Sequence, residues 1–199
     1  MAIDTSQRLS KKDISQILEF TKAALQPYDL SSKNVEVVLL SYGKDVHLIE
    51  ASPQSPDDLE AIFSTFLEAG GRQNIPGLFN DVNQYLFKDK NPDQKKVFIM
   101  TVYGEPNLKT LSPKTLKDLK EKKVEVLTLA IDSGEPEVFK SVCPPSNVVS
   151  VDDIENLPEK IGELEKKTKA IIGIIYILFL LIFSQLHRKN KFFEYRTII

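Results

Sequence analysis

Cysteine is all but missing from this chain of 199 residues. Cys143 stands alone, which excludes an internal disulfide and suits a small buried side chain at the end of a helix. Tryptophan is absent, and no low-complexity tract or short repeat appears; the 42% hydrophobic content can fill one good-sized domain plus an appendage. A surplus of either charge is lacking too. Lys and Arg number 26 against 28 Asp and Glu, and the lysines lie scattered among acids, so no basic stripe exists for nucleic acid. Histidine is scarce: His47 and His187 have no partners at ligand spacing and read as surface residues. No Ser/His/Asp order and no carboxylate pair is found, and Gly70-Gly71 lacks the lysine and downstream hydroxyl of a phosphate loop. Nothing argues for an enzyme. No signal peptide precedes the strand-like Ala2-Ile3.

What the chain does have is a set of short apolar runs. Val97 to Thr101, after two lysines and before Gly104-Glu105-Pro106, is too short for a helix and reads as a strand covered on both faces. In open α/β sheets ligands bind beyond the C-terminal ends of such strands, so Thr101 to Glu105 should border any site. Val35–Tyr42, Val124–Ile131 and Val148–Val151 read the same way, and Asp45–Ile49 alternates as an edge strand does. Ser10 with Asp13 forms a capping box ahead of a helix carrying Ile14, Ile17, Leu18, Thr21, Ala24 and Leu25, ended by Pro27. Ser55-Pro56-Asp57-Asp58 opens a second helix with Leu59, Ile62, Phe63, Phe66 and Leu67 inward, stopped by Gly70-Gly71. A third starts near Ile75 with Leu78, Phe79, Val82, Tyr85 and Leu86 on one stripe. Shorter helices are expected at Leu116–Lys122 and Pro136–Val142, and a last one, opened by Asp152 and Asp153, carries Ile154, Leu157, Ile161 and Leu164. This alternation implies an α/β fold over residues 1–165: a doubly wound, mostly parallel six-stranded sheet with helices on both faces.

The order of these elements resembles the von Willebrand factor type A domain (vWA), a Rossmann-like fold shared by integrins and matrix adhesion proteins. The resemblance is carried by Ala2-Ile3-Asp4-Thr5-Ser6-Gln7-Arg8, by Val38 to Gly43 with Val46-His47-Leu48, by Leu67 to Ile75 around Gly70-Gly71, and by Val97 to Pro106. It implies a metal-ion-dependent adhesion site at the ends of those strands, where Mg²⁺ or Mn²⁺ is held by hard oxygen ligands and completed by an acidic residue of a protein partner. Asp4 and Ser6 match the first two ligand positions, and Thr101 matches a third. Arg8 stands where an oxygen ligand is expected, Gln73 where a threonine is, and Val102-Tyr103 replaces the aspartate before Gly104. The site is therefore expected to be degenerate, with no cofactor, and Arg8 either folds onto Asp4 as a metal-free cap or points to solvent. Arg8, Gln73, Thr101, Tyr103 and Glu105 are taken as a binding rim.

From Ala170 to Leu186 the chain is uncharged and mostly aliphatic on every helical face, with lysines and arginines at both ends. As a helix it spans about 26 Å, against a hydrocarbon core of about 30 Å that flanking cations can meet by snorkelling. Residues 166–187 are read as one transmembrane helix and 188–199 as a short basic tail, placed in the cytoplasm by the positive-inside rule. The family resemblance then implies an extracellular domain that binds a matrix or cell-surface protein. That topology expects a signal peptide and the start of strand one to lie upstream of Met1. The alternative is a tail-anchored, cytosol-facing assembly module that needs no metal, which the lone cysteine and the lack of glycosylation sequons favour mildly.

Overall fold

A strand that is apolar on both faces is satisfied only between two helical layers, and the sheet is placed accordingly. The computed structural model describes residues 1–31, 36–49, 53, 55, 58–59, 61–62, 70–86 and 96–171. Six strands form one sheet: β1 (Ala2–Asp4), β2 (Leu39–Tyr42), β3 (Val46–Ile49), β4 (Lys96–Tyr103), β5 (Val124–Ile131) and β6 (Val148–Val151). Their spatial order is β3-β2-β1-β4-β5-β6, parallel except for the β2–β3 hairpin. The fold read from the sequence is thus the fold observed. His47 lies on the edge strand β3, partly exposed.

Alternate residues feed two cores. Ala2, Leu40, Phe98, Met100 and Val102 pack on one face against Ile75, Leu78 and Phe79 of α2 (Ile75–Asp81), where Phe79 and Phe98 meet edge to face at 5.4 Å. Ile3, Leu127, Leu129 and Ile131 pack on the other against Ile14, Ile17 and Phe20 of α1 (Lys11–Leu25) and Leu164 of a C-terminal helix, α4, at 161–171. The Ser10–Asp13 capping box is present in both directions. Ser55 and Asp58 bond reciprocally in the same way.

The local differences have local causes. β2 is strand only from Leu39; residues 36–38 are irregular and Val35 lies outside the described residues. β4 extends two residues further than its apolar run because Val102 and Tyr103 stay paired with Ala130 and Ile131. α3 (Pro113–Glu121) begins earlier than its lysines suggest, since Pro113 sits well in a first helical turn. Residues Pro136–Phe139 and Ile154–Lys160 are 3-10 turns, and Pro158, lacking the N–H that would bond back to Ile154, keeps residues 154–160 from joining α4 as one α-helix. Cys143 is buried with its Sγ 3.5 Å from Thr128 Oγ1, and burial pushes its thiol pKa up, as an inert packing residue requires. Phe63, Phe66, Leu67, His187 and most of the expected transmembrane segment lie outside the described residues. Among those described, no helix is long and apolar enough to cross a membrane.

Phe98 is 2% exposed, whereas Val138 is 42% exposed. Phe98→Ala is expected to destabilise the domain by about 3–5 kcal/mol and Val138→Ala by less than about 0.5 kcal/mol in urea unfolding followed by circular dichroism.

Candidate functional site

Three loops meet at the C-terminal ends of β1, β2 and β4, and backbone hydrogen bonds tie them together. Lys44 N–H donates to Gly70 O at 2.8 Å, Gln7 N–H to Gly71 O at 2.8 Å, and Asn74 N–H to Gly43 O at 2.8 Å. Gly71 has φ +61°, and a Cβ there would lie 2.7 Å from Lys44 Cβ, so both conformation and space demand glycine. Asn74 then caps α2, accepting from Gly77 N–H at 3.0 Å and donating to Lys44 O at 3.2 Å, which fixes the direction of its neighbour Gln73.

Asp4, fully buried at the end of β1, is the centre of this arrangement. Its Oδ1 accepts from Ser6 N–H at 2.9 Å, and its Oδ2 accepts from Tyr103 N–H at 3.0 Å and from Gln73 Nε2 at 2.5 Å. The same Gln73 nitrogen donates to Tyr103 O at 2.6 Å; since both neighbours are acceptors, the amide can present only its NH₂ to them. Thr101 Oγ1 accepts from Asp4 N–H at 2.8 Å, and the buried Tyr42 hydroxyl donates to Thr101 O at 2.5 Å. Burial raises the Asp4 carboxyl pKa despite the opposing hydrogen bonds, chiefly from Ser6 and Tyr103 N–H. Burial, and then the Asp4 charge, holds the Tyr42 phenol well above its ordinary value.

The structure brings Asp4, Ser6, Gln73, Thr101 and Tyr103 together but gives Arg8 another place. Arg8 Nη1 donates to Glu105 O at 3.3 Å and crosses Gly104, where a Cβ would come within 2.7 Å of it. It forms no cap on Asp4; the neutral amide of Gln73 does, because an amide bonds the carboxylate and the Tyr103 carbonyl at once without bringing in a second buried charge. Tyr103 serves through its peptide group, while its ring packs among the residues on the α1 side. Arg8 and the exposed Glu105 line a cleft of about 530 Å³ with Gln7, Arg72, Gln73 and Asn107. Arg72 and Asn107 escaped the sequence reading. Their only signal was adjacency, one to the Gly-Gly turn and the other to Glu105-Pro106.

An octahedral cation does not fit this donor set. One carboxylate is present, and both of its oxygens already face N–H donors. Thr101 Oγ1 accepts from Asp4 N–H and keeps one lone pair, so it and the buried Ser6 Oγ, which has no hydrogen-bond partner among the described residues, are the neutral oxygens beside the single carboxylate. No group of three or more His, Cys, Asp or Glu side chains that could hold a metal occurs among the described residues. Mg²⁺ requires near-ideal oxygen geometry, and a bound NH₂ group stands in its way.

Two outcomes follow from the Asp4 cluster. Gln73→Ala should cost about 1–3 kcal/mol in urea unfolding, because Tyr103 O and Asp4 Oδ2 both lose a donor. Because the folded Asp4 pKa lies above its ordinary 3.8, the folded state holds more protons in that window and stability falls as pH rises through it. The unfolding free energy of the natural protein minus that of Asp4→Asn, which cannot titrate, should therefore decrease with pH from below 3.8 up to the raised value and be level above it.

No curated protein sequence matches this chain. Among solved structures it is similar to proximal thread matrix protein 1 (PTMP1) from the mussel byssus in two crystal forms, each with a TM-score of 0.73 and 15% identity. It is also similar, at a TM-score of 0.73 and 16% identity, to PTMP1 with a zinc-occupied MIDAS motif. Each comparison covers 84% of this chain and 46% of the other, so the chain spans about half the length of these proteins and the likeness shows the fold. The family model of the von Willebrand factor type A domain matches residues 1–163, and the chain belongs to that family.

Proposed function

We propose that this vWA domain binds a protein partner at the C-terminal edge of its sheet without a bound metal ion, and that residues 170–186 anchor it in a membrane as a single-pass protein. The observation that carries the reading is Gln73: its amide nitrogen spans Asp4 Oδ2 and Tyr103 O, closing the site with hydrogen bonds rather than a cation. No residues argue for catalysis, and the cleft above Gln73 is lined by exposed polar side chains suited to contact with another protein. An extracellular domain contacting a matrix or cell-surface protein, with the basic tail inside, is the arrangement we favour.

The position of α4 supports the anchor. Lys167 Nζ donates to Ser146 O at 2.8 Å and Val148 O at 2.7 Å, where β6 begins, so α4 runs back toward the strand starts. Asp4 and Gln73 lie at the strand ends. The described part of α4 therefore runs toward the edge opposite the cleft, the side on which an anchor at residues 170–186 would leave the cleft unobstructed.

Calorimetric titration of the full chain in detergent with Mg²⁺ or Mn²⁺ should show no binding; micromolar binding abolished by Asp4→Ala would overturn the metal-free reading. A photo-crosslinking amino acid placed at the exposed Asn107 should give a discrete protein adduct in cells that persists in EDTA, whereas the same probe at Glu121, near the strand starts, should not. Adducts lost in EDTA, or equal from both positions, would defeat the proposal.

A further inference from the structure

We infer that a lysine-lined cleft at the strand starts lies against anionic lipid headgroups of the bilayer that residues 170–186 enter, so that the domain rests on the membrane through this edge. The inference rests on the reading that those residues are an anchor, and it holds for either side of the bilayer. The cleft has a volume of about 580 Å³ and lies where α3 ends and β5 begins. Lys117, Lys120, Lys123 and Lys140, all exposed, line it against one carboxylate, that of Glu125. Lys117 is paired with Glu121 at 3.6 Å, whereas Lys120, Lys123 and Lys140 form no ion pair among the described residues. Lys123 also holds φ +57°, the left-handed conformation that glycine takes after a helix with less strain. A charged side chain kept at such a position points to a use for it.

α4 brings the membrane segment to this cleft. Lys167 Nζ bonds Ser146 O and Val148 O, and Asn147 Nδ2 donates to Val126 O at 3.2 Å, so α4, the 143–148 loop and the start of β5 are tied together. Cys143, Pro144 and Val126 are themselves walls of the cleft. Ala170 follows Lys167 within one helical turn, which sets the entry to the bilayer beside the lysines. Lys166, exposed on that turn, adds to the charge.

The attraction of a cation to a charged surface fades within about 8 Å at physiological ionic strength, so lysines beside the entry are the ones that act. The anchor makes docking intramolecular, and contacts too weak to join separate molecules are then populated. The kind of cation fits as well. All four are lysines, point charges on flexible stems that can follow a fluid array of headgroups, where a fixed carboxylate would favour the planar fork of arginine.

The test is acetylation of lysines by an N-hydroxysuccinimide ester on the full chain in lipid nanodiscs, read residue by residue by mass spectrometry under single-hit conditions. Discs of phosphatidylcholine alone are compared with discs holding phosphatidylcholine and phosphatidylserine at about three to one. Lys117, Lys120, Lys123 and Lys140 should react severalfold more slowly in the anionic discs, the difference should shrink with added salt, and Lys44 at the opposite edge should not change. Lys120→Gln and Lys140→Gln should each lower the ratio of docked to free domain about fivefold, seen as lost protection at the lysines that remain. Equal rates in both discs, protection indifferent to salt or to both substitutions, or equal protection of Lys44 would overturn the inference. Matching protection in neutral discs by inorganic phosphate, or by heparin, would also overturn it, by reassigning the cleft to a free anion or to a sulfated polysaccharide. Alkaline carbonate extraction separates the two readings. If the chain resists extraction and the lysines are unprotected, this inference falls alone; if the chain is extracted, the anchor falls and takes this inference with it.

Discussion

The arrangement of the loops depends on one buried carboxylate and the N–H groups around it. Asp4 lies at the end of a strand flanked on both sides, where no water can solvate its charge. Several kcal/mol of desolvation must be met locally, and hydrogen bonds to a charged group contribute about 1.5–3 kcal/mol each. Ser6, Tyr103 and Gln73 supply three of them, from β1's own loop, the end of β4 and the turn before α2. The two sides come close to balance, and the upward displacement of the Asp4 pKa shows that desolvation retains the edge.

That near-balance explains why the carboxylate and Gln73 form a unit. Without the amide, Asp4 would keep one donor at Oδ2, and the Tyr103 carbonyl would lose its side-chain donor. With a guanidinium in its place a second charge would have to be desolvated, so the structure leaves Arg8 in the solvent-facing cleft, bonded to a carbonyl of its neighbouring loop. The backbone bonds between residues 43–44 and 70–74 hold the loops close enough for the amide to reach, and Gly71 allows that approach.

The sheet was legible because its signal is cumulative. Two-sided apolar strands alternating with amphipathic helices leave few ways to bury both faces, and the order β3-β2-β1-β4-β5-β6 follows from hairpin and crossover connections. The absence of an aspartate before Gly104 was legible too, without coordinates. What replaced it was not. Whether Arg8 or Gln73 turns toward Asp4 depends on the peptide direction at Tyr103, whose N–H and C=O are both used, and on the Asn74 cap that aims Gln73. The ring of Tyr103 drew attention as a contact residue although its peptide group makes the site. Arg72 and Asn107 could not be placed in one cleft with Arg8 until the loops were folded, because 64 and 99 positions separate them from it along the chain.

A site closed by hydrogen bonds behaves differently from one closed by an ion. A bound cation makes the shape of its loops depend on metal concentration, because binding free energy is shared with folding. Here the donors are covalent parts of the chain: two backbone N–H groups and a side-chain amide. Their geometry forms together with the sheet that carries them. The cleft above is therefore shaped by the fold itself, the condition under which a surface loses little ordering entropy when it is contacted. The side chains left facing solvent at this edge are those lining the cleft, Arg8, Arg72, Glu105 and Asn107 among them.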